Sequence, residues 1–227
     1  MSSEYPEQRL LWPGAILGSI AHALFVARHP DFAHEQSWDG LNYSVQDSAG
    51  SRGTVTFAAN GHFVAVFFSE DSDRNPFSLR TVYSLQKRLV GLPDDLKALA
   101  HKEALQYVLQ GYNNTTIPIV TSIFWGDGKQ RVVGAAEAWS DVLKHGAFLV
   151  KDQLLEYDAS LDAWAAQYGF SESESAFVAS LFRRKLSTMD KQLVLTADDR
   201  RFVSSYARDA KAVDVSRESF SEVDILL

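Results

Sequence analysis

Apolar positions along the chain alternate between two periods, and the switches mark the elements. In residues 15–28, Ile16, Ile20, Leu24 and Ala27 recur on one helical face. Pro13 suits an early helical position, and Pro30 predicts a stop near Arg28. This segment is alanine-rich and almost uncharged, so it is expected to be a buried helix.

Residues 31–38 read as polar and irregular. Leu41, Tyr43 and Val45 then alternate with Asn42, Ser44 and Gln46, the period of a half-buried strand. A turn over 48–53 leads to a second strand at 54–58, rich in β-branched residues. Asn60-Gly61 predicts a type I′ hairpin turn, which needs positive φ at both positions. Residues 62–69 make a third strand, apolar on both faces and so covered on both sides.

An acidic loop at 70–75 precedes two helical stretches. Leu79, Val82, Tyr83, Leu85, Leu89 and Val90 suggest the first; the second opens at Pro93-Asp94-Asp95 and runs to about Leu109. Residues 111–116 read as a loop. A strand at 117–125 and a return at 131–134 flank the turn Gly126-Asp127-Gly128. From 135 onward the chain is mainly helical. It has a short helix at 137–145, an ambiguous segment at 148–157, and a helix at 160–168 closed by Gly169. Ser171 and Glu174 offer a capping box for a helix at 172–187, and Thr196 with Asp199 a related start for 197–210. The tail is polar from Asp214 until Ile225-Leu226-Leu227, which is expected to dock on the body.

This order predicts an α+β fold: a mostly antiparallel sheet, built from a three-strand meander plus a hairpin, packed by helices, with a helical C-terminal subdomain. The expected division is a sheet region at 1–135 and a helical region at 136–227. No repeat or flexible linker separates them, so they are expected to form one compact unit.

Composition narrows the function. The chain has 227 residues, 46% of them hydrophobic, and a formal net charge of -7 from 29 acidic and 22 basic residues. Dispersed, outnumbered basic residues argue against nucleic-acid binding. Cysteine is absent, which excludes disulfides, thiolate metal sites and a Cys nucleophile. No apolar run of membrane-spanning length is read, so no membrane association is expected. The polar, acidic start lacks the pattern of a signal peptide, so a cytoplasmic location is expected.

No linear motif names a reaction. Residues 71–75 match the first half of a calcium loop, but Pro76 stands where the turn glycine belongs and Val82 where the bidentate Glu belongs. The six histidines form no paired zinc spacing. There is no Gly-x-Ser-x-Gly elbow and no phosphate loop. Neither a cofactor nor a metal is therefore expected, and no catalytic residue is assigned.

The most informative stretch is 152–174. It holds Asp152, Glu156, Asp158, Asp162, Glu172 and Glu174, no Lys or Arg, and interleaved aromatics including Trp164. Acids that steer and an aromatic that anchors would suit a basic protein partner. Helix capping accounts for the same acids, because carboxylates complement helix N-termini. Two functional expectations follow. The first is a non-enzymatic protein-interaction module, such as an inhibitor or immunity-type protein, binding a basic partner through Asp152, Glu156, Asp158, Asp162, Trp164, Glu172 and Glu174. The alternative is a small-molecule enzyme or sensor with its site on the sheet loops, at Trp38, Asp39, Asp47, Arg52 and Asp71.

Overall fold

A computed structural model describes residues 4–79, 82–188 and 191–227. Along the chain, α1 (Leu11–Arg28) leads through a 3-10 segment to β1 (Gln36–Asp39), β2 (Asn42–Gln46), β3 (Arg52–Phe57) and β4 (Phe63–Phe68). Three short helices follow: α2 (Pro76–Leu79), α3 (Leu85–Arg88) and α4 (Asp94–Lys102). Next come β5 (Leu109–Tyr112), β6 (Thr115–Pro118), β7 (Ser122–Gly126), β8 (Val133–Gly134) and α5 (Trp139–Lys144). The chain ends with α6 (Tyr157–Tyr168), α7 (Glu172–Ser187), β9 (Leu193–Val194), α8 (Ala197–Tyr206), α9 (Ala210–Ser221) and β10 (Ile225–Leu226). The fold is α+β, with a six-stranded sheet in the order β1-β2-β3-β4-β7-β8.

The two compact units are not consecutive halves. One contains Met1–Arg9 and Asp39–Lys151, the other Leu10–Trp38 and Asp152–Leu227. The first helix thus belongs with the C-terminal helices, and the later boundary falls at 151 rather than 135. Hydrophobic burial explains this: α1 packs with Trp164, Phe177, Leu181, Val203 and Phe220 in one core.

In the sheet unit, β3, β4 and β7 pair antiparallel at the centre. Every residue of β4 is buried, as its unbroken apolar run predicts. Val64, Val66 and Phe68 join Leu96, Ala100, Leu105 and Val108. From the other face, Phe67 stacks on Phe124, which meets Trp139 of α5 edge-on.

Several turns differ from expectation. Asn60 does not adopt positive φ; only Gly61 does, at 80°. The Ala58 carbonyl accepts from Gly61 N–H, and Ala58 N–H donates to the His62 carbonyl, so the hairpin uses a tight turn followed by a left-handed glycine. The two-residue positive-φ turn lies instead at Asn113 and Asn114, at 48° and 62°, joining β5 to β6 where a loop was expected. The expected 79–90 helix is two short ones; its residues 80 and 81 lie outside the described residues. Its apolar positions make no single stripe, since Leu89 is buried while Val82 and Val90 are exposed. The helix expected to reach Leu109 stops at Lys102. Glu103 leaves helical geometry and its carboxylate accepts from Asn42 of β2. The strand expected at 117–125 breaks between Pro118 and Ser122, where Val120 N–H donates to the Tyr83 hydroxyl. Residues 36–39, read as irregular, form β1.

In the helical unit, Gly169 closes α6 at φ 65°, and complete capping boxes open α7 and α8. The polar tail from Asp214 lies within helix α9, which the sequence reading missed. Asp209 caps it by accepting from Ala212 N–H, and it buries Ala212, Ser216 and Phe220 at four-residue spacing. Ile225 is buried and β10 pairs parallel with β9, so the apolar end does dock. Lys185, 5% exposed, donates to the Lys191 carbonyl at 3.3 Å and faces Asp224 at 3.6 Å.

The expectation about apolar runs needs correction. Gln8–Arg28 spans 21 residues with a mean hydropathy of 1.7 over an 18-residue window, long and apolar enough to cross a membrane. Yet 78% of that window is buried within the protein, the pattern of a core helix wrapped by others.

Candidate functional site

The acidic stretch falls wholly within the helical unit. That unit carries 16 acidic and 10 basic residues, and the sheet unit 13 and 12, so -6 of the -7 resides in the former. Asp158 and Asp162 sit one turn apart on α6, and Glu172 begins α7. All three are exposed and make no hydrogen bond or ion pair among the described residues. Glu156 is exposed at the start of α6 and Asp152 is half-buried. Glu174 has a structural duty: it accepts from Ser171 N–H at 2.6 Å to complete the capping box and lies 3.8 Å from Arg28. Trp164 is 3% exposed and packs in the core. It cannot present its ring to a partner from there. Tyr157 is half-buried, stacked on Phe182 with Arg183 above its ring.

The sheet-loop residues have local duties. Asp47 accepts from Ala49 and Ser51 N–H groups in its own turn. Arg52 donates to the carbonyls of Tyr107 and Leu109 and lies over Phe68. Desolvation by burial lowers the Arg52 pKa, against the pull of Glu70. Asp39 accepts from the Tyr107 hydroxyl at 2.9 Å. Asp71 is exposed in the loop after β4. Trp38 lies in the other unit, where its indole donates to Ser19.

A Ser–His–Asp grouping in the sheet unit was not legible from spacing. Ser72 Oγ lies 2.9 Å from His145 Nδ1, and Asp73 Oδ1 lies 3.4 Å from that same nitrogen. A catalytic triad needs serine and carboxylate on opposite ring nitrogens. Here both crowd one, and Ser72 is only 3% exposed. The His145 pKa is lowered by burial and then by Arg74. Beside it, Arg74 pairs with Glu137 and donates to the Thr121 carbonyl. This polar cluster holds the loops at one end of the sheet.

The helical unit also contains a small polar cleft lined by Ser19, His22, Gln36, Ser219 and Glu222. Its volume is about 170 Å³ with its open mouth, and its interior admits about one water-sized group. His22 Nδ1 lies 3.1 Å from the Tyr168 hydroxyl, which also accepts from Gln36. His22 Nε2 is buried without a hydrogen-bond partner. Burial drives the His22 pKa down to about 4, opposed by the nearby Ala33 and Phe32 carbonyls. Glu222 accepts from Trp38 N–H at 2.9 Å. Desolvation raises its pKa, and Glu218 adds to the rise.

No family model, curated protein or solved structure matches this chain. The site therefore has to be read from its own chemistry. Ser219 and Glu222 escaped the sequence reading because α9 did. The signal was there, in Ala212, Ser216 and Phe220, but a serine at the central core position hides the stripe.

Proposed function

We propose that this chain is a non-enzymatic protein-interaction module whose acidic helical surface receives a basic protein partner. An inhibitor or immunity-type protein is the concrete version. The observation that carries the reading is that Asp158, Asp162 and Glu172 are exposed without a cation partner, in the unit that holds nearly all the net charge. Unpaired surface carboxylates of one sign raise encounter rates with a positive surface and discriminate against acidic ones. With Trp164 in the core, affinity rests on these carboxylates and on neighbours such as the half-buried Tyr157.

The test compares the native chain with the Asp158→Lys, Asp162→Lys, Glu172→Lys triple variant as baits in extract from the source organism. A single basic protein should be retained by the native chain, released by salt and lost with the variant. Equal retention by both baits, or capture of no basic protein, overturns the reading. Because all three positions are exposed, equal thermal melts establish that the variant is folded.

A further inference from the structure

The serine hydroxyls and the carboxylate of the His22 cleft offer hydrogen-bond acceptors. Ser19 Oγ donates to the Ala15 carbonyl at 2.9 Å, and Ser219 Oγ donates to the Val215 carbonyl at 3.3 Å. Both hydroxyls therefore present lone pairs to the cleft. Ser19 spends one on the Trp38 indole and keeps another. Glu222 uses Oε2 for Trp38 N–H, and its carboxylate has no ion pair among the described residues. His22 lines the wall, 1% exposed, with the Ala33 and Phe32 carbonyls beside its ring.

We propose that this cleft binds the ammonium head of a small primary amine. Three donors on one compact cation match Glu222, Ser219 and Ser19. The interior holds about one water-sized group, the size of such a head, and the alkyl end points to the mouth. An anion would face an uncompensated carboxylate. A bound metal would need more ligands, since the described residues hold no group of three or more His, Asp or Glu.

This site is independent of the acidic surface on α6 and α7. The test is an NMR titration of the native chain, following the Trp38 indole N–H and the His22 side-chain nitrogens. The probes are methylammonium chloride, potassium chloride at equal ionic strength, and tetramethylammonium chloride, whose cation has no N–H. Methylammonium alone should give saturable shifts. Glu222→Gln should weaken binding about tenfold or more, because a hydrogen bond to a charged group is lost. Its amide oxygen still accepts from Trp38 N–H, so the fold is kept. Ser219→Ala, which removes a single acceptor, should weaken binding severalfold and carries the test should Glu222→Gln melt early. No saturable response to methylammonium, an equal response to potassium, or unchanged affinity in both variants overturns the proposal.

Discussion

A methyl group added at Gly18 would come within 2.8 Å of the Trp164 indole. The ring is thus seated on the bare backbone of α1, in a slot that only glycine leaves open. Gly18→Ala should gain about 1 kcal/mol in helix propensity but lose about 1–3 kcal/mol to overpacking, for a net loss of up to about 2 kcal/mol. Trp164→Ala should cost about 3–5 kcal/mol. Urea midpoints of the two variants check both values. A more stable Gly18→Ala would show that the slot is loose.

His22 should make stability depend on pH. Its pKa is lowered by burial to about 4 in the folded chain, against about 6.5 when unfolded. The unfolded state therefore binds the extra proton between these values. The stabilisation is complete above about pH 6.5 and is lost as pH falls towards about 4, by about 3 kcal/mol. His22→Gln should flatten this slope. Denaturant titrations across that range, for both chains, measure it.

The Arg74–Glu137 pair is largely enclosed, with side chains 18% and 17% exposed. Glu137→Gln would remove the countercharge of Arg74, near the half-buried Arg88. Burial and then Arg74 already lower the Arg88 pKa. A loss of about 2 kcal/mol is expected, between the values for exposed and fully buried pairs. A double-mutant cycle with Arg74→Met should recover part of it, because removing both charges leaves neither one uncompensated.

Asn113 and Asn114 both hold positive φ in the β5–β6 turn. Asn114→Gly should stabilise the hairpin by roughly 0.5–1 kcal/mol, whereas Asn114→Val should cost about 1–2 kcal/mol. Amide exchange of Gln110 and Ile117, opposite each other in this hairpin, reads the change locally.

Elements with one local cause were legible in the chain. The capping boxes at Ser171 and Thr196, the closing Gly169, the meander strands and the buried first helix all formed as their residues predict. Elements defined by distant partners were not. The helix after Pro93 ends where Glu103 reaches Asn42, and the strand after Pro118 breaks where Val120 meets Tyr83. Both interruptions are hydrogen bonds to side chains remote in sequence. The turn residues divided the same way. Asn60-Gly61 has the composition of a type I′ turn, yet the Ala58–His62 pairing selects a different loop.

Local composition determined the α+β class, the acidic charge and the exclusion of cysteine chemistry. Each depends on residue type or short-range spacing, which a chain displays without folding. Tertiary structure alone decided that the first helix joins the last ones and that Trp164 is a core residue. It alone gathered Ser19, His22, Gln36, Ser219 and Glu222 around one cleft. Burial and hydrogen-bond satisfaction are properties of packed neighbours. Here those neighbours come from opposite ends of the chain.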